Sequence, residues 1–227
     1  MTAYRRSRTN ATPDLFGAIA THEPDRQALG PGAVLLRGRA LAVAASLLAA
    51  LDAIVARAPF RRMVTPGGFE MSVAMTNCGA AGWVTDRRGY RYDRRDPASG
   101  SPWPPMPEVF RELAVASAAE AGFPGFRPDA CLINRYAPGA RLSLHQDKDE
   151  ADLGDPVVSV SLGLPATFQF GGSRRNDKTQ RIALRHGDIV VWGGPARLAY
   201  HGVLALADGE HPAVGRQRIN LTLRRAF

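Results

Sequence analysis

The run Leu142-Ser143-Leu144-His145-Gln146-Asp147-Lys148-Asp149-Glu150 carries an imidazole and a carboxylate two positions apart. Leu142 and Leu144 alternate with Ser143 and His145, the pattern of a strand running into a turn. Residues two apart in a strand share a face, so His145 and Asp147 are expected side by side. An imidazole nitrogen next to a carboxylate oxygen is two thirds of a facial metal site. A second histidine from elsewhere would complete the two-histidine, one-carboxylate set that holds non-haem Fe(II) and leaves positions open. Taken alone, a His-x-Asp triplet is more often a solvated surface pair, so the weight must come from the rest of the chain.

Of the five histidines, His201 stands in Leu198-Ala199-Tyr200-His201-Gly202, near the end of a strand-like run. His22 and His211 fall in irregular polar segments, and His186 in a turn. His201 is therefore the candidate third ligand. The last alternating run, RINLTLR, places Arg218, Asn220, Thr222 and Arg224 on one face and Ile219, Leu221 and Leu223 on the other. An earlier run separates Leu132, Asn134 and Tyr136 from Cys131, Ile133 and Arg135 in the same way. A polar face with two arginines, backed by an apolar face, suits an exposed sheet surface or a polar pocket in a barrel mouth. Alternation alone does not choose between them.

The elements that must position these groups follow from texture. Ala40–Arg57 is rich in helix formers without Gly or Pro, and Pro59 ends it. Glu108–Ala121 forms a second amphipathic helix, stopped by Gly122 and Pro124. Gly32–Arg37 and Phe69–Thr76 read as strands, with Thr65-Pro66-Gly67-Gly68 as a turn. From Pro128 to Phe227 short alternating strands recur between Gly- and Pro-bearing breaks, which predicts an antiparallel sandwich or barrel. In residues 65–92, Trp83, Tyr90 and Tyr92 interleave with Arg87, Arg88 and Arg91. Aromatics among arginines can stack bases and hold phosphates, or simply plug a core beneath solvated charges.

Composition limits the classes. The chain has 227 residues, is 45% hydrophobic and carries a net charge of +8. That suffices for one cored domain with attached segments and favours a polyanionic partner. Two cysteines, Cys78 and Cys131, make no disulfide framework and suit a reducing compartment. MTAYRRSRTN has no apolar run after its charges, so no secretory signal is expected, and no stretch is apolar enough to span a bilayer. Residues 1–13 are expected to be a disordered basic tail.

The order His145, Asp147, His201, Arg218, Arg224 resembles that of the 2-oxoglutarate/Fe(II)-dependent dioxygenases. More narrowly, the sequence is similar to the AlkB family of nucleic-acid demethylases. The stretches that carry the likeness are MVTPGGFEMSVAMTNCGAAGW (63–83), PDACLINRYAPGARLSLHQDKDE (128–150), VVSVSLGLPATFQFGG (157–172), HGDIVVWGG (186–194) and RINLTLR (218–224). The resemblance implies an α+β, mainly β fold. A jelly-roll core (128–227) would follow an N-terminal extension (14–127) holding helices and a nucleotide-recognition lid. It implies Fe(II) on His145, Asp147 and His201, with 2-oxoglutarate as cosubstrate and O2 as oxidant. Arg224 would grip the far carboxylate of 2-oxoglutarate, a task suited to a guanidinium fork. Arg218 would stand nearer the metal-bound end, with Asn134, Tyr136 and Asn220 as polar walls.

The implied reaction is oxidative demethylation of 1-methyladenine and 3-methylcytosine, direct-reversal repair that releases formaldehyde, succinate and CO2. The implied partner is alkylated single-stranded DNA, with duplex DNA and RNA as further candidates. The protein is expected to be a cytoplasmic monomer with no membrane partner. Trp83 would stack on a flipped base whose other face meets His145, Asp149 would contact its exocyclic amine, and Met75, Tyr90 and Arg175 would complete the pocket. Three other readings compete. A protein or small-molecule hydroxylase would keep the triad but needs neither Trp83 nor the basic charge. A non-catalytic nucleic-acid binder would not need the triad. A zinc hydrolase gives no role to Arg218 and Arg224.

Overall fold

Alternation of apolar and polar residues produces most of the secondary structure in the computed structural model, which describes residues 25–227. The expected tail over 1–13 lies outside the described residues. In chain order the elements are β1 (Arg26–Gly30), β2 (Ala33–Leu36), α1 (Ala44–Arg57), β3 (Arg61–Val64), β4 (Glu70–Gly79), β5 (Gly82–Asp86), β6 (Gly89–Asp93), α2 (Glu108–Glu120), β7 (Ala130–Tyr136), β8 (Leu142–His145), β9 (Val157–Gly163), β10 (Ala166–Phe170), β11 (Gln180–Leu184), β12 (Ile189–Trp192), β13 (His201–Val203) and β14 (Arg218–Arg224).

Eight strands form a major sheet in the order β1-β2-β12-β9-β14-β7-β4-β3, four form a minor sheet in the order β11-β10-β13-β8, and β5 and β6 pair alone. All pairings between these strands are antiparallel. The two larger sheets share one buried cluster: Leu35, Tyr136 and Trp192 of the major sheet pack with Phe168, Phe170 and Leu184 of the minor one. Two packed antiparallel sheets fit the expected jelly roll.

The opposite face of the major sheet is closed by helices. Ala44, Leu47, Leu51 and Ile54 of α1 recur at helical spacing and join Phe110, Ala114 and Ala118 of α2 in a second cluster with Ile133, Ile219, Leu221 and Leu223. α1 stops where predicted. Ala58 precedes Pro59 and has φ −133°, ψ 86°, outside the helical region that a following proline disfavours. The first turn of the expected helix is instead a 3-10 turn over Leu41–Val43. α2 ends with Gly122 at φ +99°, and the Phe123 N–H returns to the Ala118 carbonyl.

Two expectations change. The boundary at 127/128 does not divide the structure, because β1 to β4 supply half of the major sheet. Residues 65–92 are accordingly not one layer over a barrel: β4 is integral to that sheet, and only the β5–β6 hairpin stands apart. Among the described residues no helix is long and apolar enough to cross a membrane.

Candidate active site

The minor sheet brings the two histidines together. His201 opens β13 and pairs directly with His145, the last residue of β8, just before a register shift. Gly202 permits that approach, since a Cβ there would lie 2.7 Å from the Leu142 carbonyl oxygen. The imidazole centroids are 4.4 Å apart. Asp147 closes the group, with Oδ1 3.8 Å from His145 Nε2 and Oδ2 3.6 Å from His201 Nε2. One donor atom from each residue lies within 4.8 Å of the others, so the three could hold one metal ion. Contrary to the expectation from alternation, His145 and Asp147 do not share a strand: β8 ends at His145, and Asp147 sits in the irregular segment beyond it. Cross-strand pairing and the return of the chain bring the groups together, not a shared strand face.

The protonation pattern suits a metal. Each histidine has its Nδ1 2.9 Å from the carbonyl oxygen two residues earlier, Ser143 for His145 and Ala199 for His201. Donation from Nδ1 leaves the Nε2 lone pair free to ligate. Burial first, then the neighbouring His201, pushes the His145 pKa down to about 4, which keeps the ring neutral. Burial alone would raise the Asp147 carboxyl. Arg224 and His201 outweigh it and hold the group well below the ordinary carboxylate range.

Arg224 anchors Asp147 from behind. Its Nη2 lies 2.7 Å from Oδ2 and its Nε donates to the same oxygen at 3.1 Å. Its Nη1 donates to the Tyr92 hydroxyl at 3.1 Å, and Nε is 3.5 Å from Glu150. Tyr92 donates to Glu150 at 2.7 Å. Arg197 meets the other Glu150 oxygen at 3.0 Å and donates to the Asp147 carbonyl at 2.6 Å. From the sequence, Glu150 and Arg197 have no role, and Tyr92 counts only as one of the aromatics among arginines in 65–92. Glu150 closes the quoted run and Tyr92 alternates with Tyr90, but nothing local to Arg197 signals its place.

Arg218 occupies the other end of β14, about 20 Å along the strand from Arg224 at the usual rise per residue. The polar face of β14 is buried, not exposed: Arg218, Asn220, Thr222 and Arg224 are 1–6% accessible. Arg218 donates to the Ser161 hydroxyl at 3.0 Å and lies over the Tyr136 ring at 5.1 Å. Its Nε and Nη1 have no hydrogen-bond partner among the described residues, and neither has Asn134 Oδ1. Burial lowers the Arg218 pKa, as expected of a guanidinium short of a counter-anion. Asn220 bridges Asn134, Ser159 and Thr222. The expected division of labour between the arginines is therefore reversed. Arg224 is committed to Asp147 beside the histidines, and Arg218 retains free donors at the far end.

The metal, cosubstrate and base-pocket residues expected from the resemblance all line one cavity of about 800 Å³; Tyr92, Arg87, Arg88 and Arg91 do not. At its mouth Trp83 is fixed through its backbone by the Asn77 amide, which makes two hydrogen bonds of 3.0 Å. The indole Nε1 donates to Asp149 at 2.7 Å, and Tyr90 stacks on the indole at 5.6 Å with an 18° tilt. Arg175 donates to the Leu144 carbonyl at 2.9 Å. Met75 is buried on β4 opposite Asn134.

The 2OG-Fe(II) oxygenase superfamily model matches residues 32–224. The chain is 59% identical to the alpha-ketoglutarate-dependent dioxygenase AlkB of Salmonella typhimurium, over 94% of this chain and 97% of the relative. It is 57% identical to the protein of the same name from Escherichia coli, with the same coverage. Among solved structures it resembles that of OsALKBH1, with a TM-score of 0.79, 29% identity, and coverage of 88% of this chain and 99% of that one.

Proposed function

Because the chain belongs to the 2OG-Fe(II) oxygenase superfamily, and within it to the AlkB dioxygenases, we propose that it oxidatively demethylates 1-methyladenine and 3-methylcytosine in DNA, and also in RNA. One observation carries this reading. Two histidines with their Nε2 atoms presented, and a carboxylate, converge at one end of a cavity whose other end holds a buried arginine with unused donors. When bound there, a ferrous ion with 2-oxoglutarate and O2 would supply the oxidation, with the N-methyl group leaving as formaldehyde and 2-oxoglutarate as succinate and CO2.

The chain's own residues supply position and charge. His145, Asp147 and His201 would hold the ferrous ion. Arg218 takes the far carboxylate of 2-oxoglutarate in its guanidinium fork, which gives Nε and Nη1 the anion they lack. Asn134, Tyr136 and Asn220 wall the chamber between. A methyl on a base edge is out of reach inside a duplex, so the nucleotide is read from a single strand or flipped out. Trp83 stacks on that base and His145 borders its other face. Asp149, already oriented by the indole N–H, accepts from the exocyclic amine, and its charge favours a cationic methylated base over a neutral one. Met75 packs against the base, while Tyr90 and Arg175 hold flanking sugar and phosphate, aided by the net charge of +8. The β5–β6 hairpin acts as the lid, and the enzyme works as a cytoplasmic monomer.

The test is formaldehyde release from matched methylated DNA and RNA oligomers, with and without 2-oxoglutarate. Wild type should release it only with the cosubstrate, and Asp147→Ala should release none while keeping its circular dichroism spectrum. Turnover by the folded Asp147→Ala protein would remove the metal role from that residue.

A further inference from the structure

Glu150 has a side chain only 1% exposed and forms no part of the cavity lining. An isolated buried carboxylate is costly, and this one is surrounded by partners that all lead back to Asp147. Arg197 is ion-paired with Glu150 through Nη2, without a hydrogen bond to that oxygen, and donates through Nη1 to the Asp147 carbonyl. The Tyr92 hydroxyl donates a hydrogen bond to Glu150 and accepts one from Arg224, which holds the Asp147 carboxylate. The metal-site aspartate is thus gripped twice, at its backbone by Arg197 and at its side chain by Arg224, and both arginines meet Glu150.

The charges balance. Arg197 and Arg224 contribute two positive charges, and Asp147 and Glu150 two negative ones. Without Glu150 the cluster would carry one net positive charge in a low-dielectric wall, beside the place where a dication must sit. We propose that Glu150 is a positioning residue for the metal site: its charge offsets the two guanidiniums, so that they orient Asp147 without repelling the metal. Tyr92, at the end of β6, pins the β5–β6 hairpin to the same anion. The proposal rests on reading His145, Asp147 and His201 as metal ligands.

The experiment is anaerobic titration of the full chain with Co(II), followed by its visible d–d bands and by quenching of tryptophan fluorescence, beside the melting temperature of the metal-free protein. Glu150→Gln should bind Co(II) about 10- to 100-fold more weakly and shift the bands. The double variant Glu150→Gln/Arg197→Gln restores neutrality and should recover most of the lost affinity. A role in packing alone predicts the opposite, with the double variant weaker than the single one. Equal Co(II) affinity in wild type and Glu150→Gln overturns the proposal and leaves the ligand reading standing. Failure of wild type to bind Co(II) overturns the ligand reading itself. Should Glu150→Gln not fold, the double variant decides: near-wild-type affinity supports charge balance, and a loss of tenfold or more refutes it.

Discussion

Arg224 and Arg218 stand on one face of one strand, both buried, in opposite surroundings. Arg224 is enclosed by Asp147, Glu150 and the neutral Tyr92 hydroxyl, and the two carboxylates hold it charged against the cost of burial. Arg218 has a serine hydroxyl and an aromatic ring, no carboxylate within ion-pair distance among the described residues, and two unused donor atoms. A buried charge that the chain neutralises by itself is part of the scaffold. A buried charge that it leaves unneutralised is built for something that arrives from outside.

Substitution should separate the two ends. Arg224→Met strands Asp147 and Glu150 as buried anions, so it should abolish turnover and destabilise the protein by about 3–5 kcal/mol, read by chemical denaturation. Arg218→Met removes a charge without a counter-ion. It should raise the melting temperature of the protein without cosubstrate while preventing 2-oxoglutarate binding. Arg218→Lys keeps the charge but loses the fork, and should raise the KM for 2-oxoglutarate by about 10- to 100-fold, measured by succinate formation. Equal destabilisation by Arg218→Met and Arg224→Met would erase the contrast.

Trp83 belongs to neither end and serves as a control. Trp83→Ala should weaken binding of a methylated oligonucleotide by about 1–3 kcal/mol, read by fluorescence anisotropy, with the KM for 2-oxoglutarate unchanged.

The smallest effect is that of pH, and it falls at the metal end. The folded state disfavours protonation of His145, whose pKa drops from 6.5 to about 4. Its contribution to stability is therefore complete above about pH 6.5 and lost as pH falls from there toward 4. Melting temperature should decline across that window in wild type and decline less in His145→Gln. The remaining slope comes from His186, whose pKa burial and His211 also lower, and toward pH 4 from the Asp147 and Asp86 carboxyls that arginines hold low. The Arg218 end has no carboxylate or imidazole to titrate there, so Arg218→Met should keep the wild-type slope.

That the two arginines share one face was legible in the sequence; which of them is neutralised was not. Period-two alternation over 218–224 separates the cavity face from the helix-facing side of β14, and Pro59 and Gly122 mark where the helices stop. What alternation could not say is which end of a strand meets which neighbour. Arg224 meets Tyr92 across 132 positions and Asp147 across 77, and such pairings follow from sheet order alone. The same blindness hid Arg197, whose partners lie near residue 150, and led to Asp147 being placed on β8. The contribution of β1 to β4 to the major sheet was hidden for a related reason: one face of each reads the same whether it packs on a core or on a separate lid.

Both metal-facing imidazoles are aimed by peptide carbonyls, those of Ser143 and Ala199, and by no side chain. Every amino acid carries that oxygen, so a change at exposed Ser143 keeps the acceptor, while at buried Ala199 only a side chain small enough to spare the main chain does. Asp147 is steered by replaceable arginines. Inherited variation can therefore tune this centre through its anionic ligand far more readily than through its nitrogen ones.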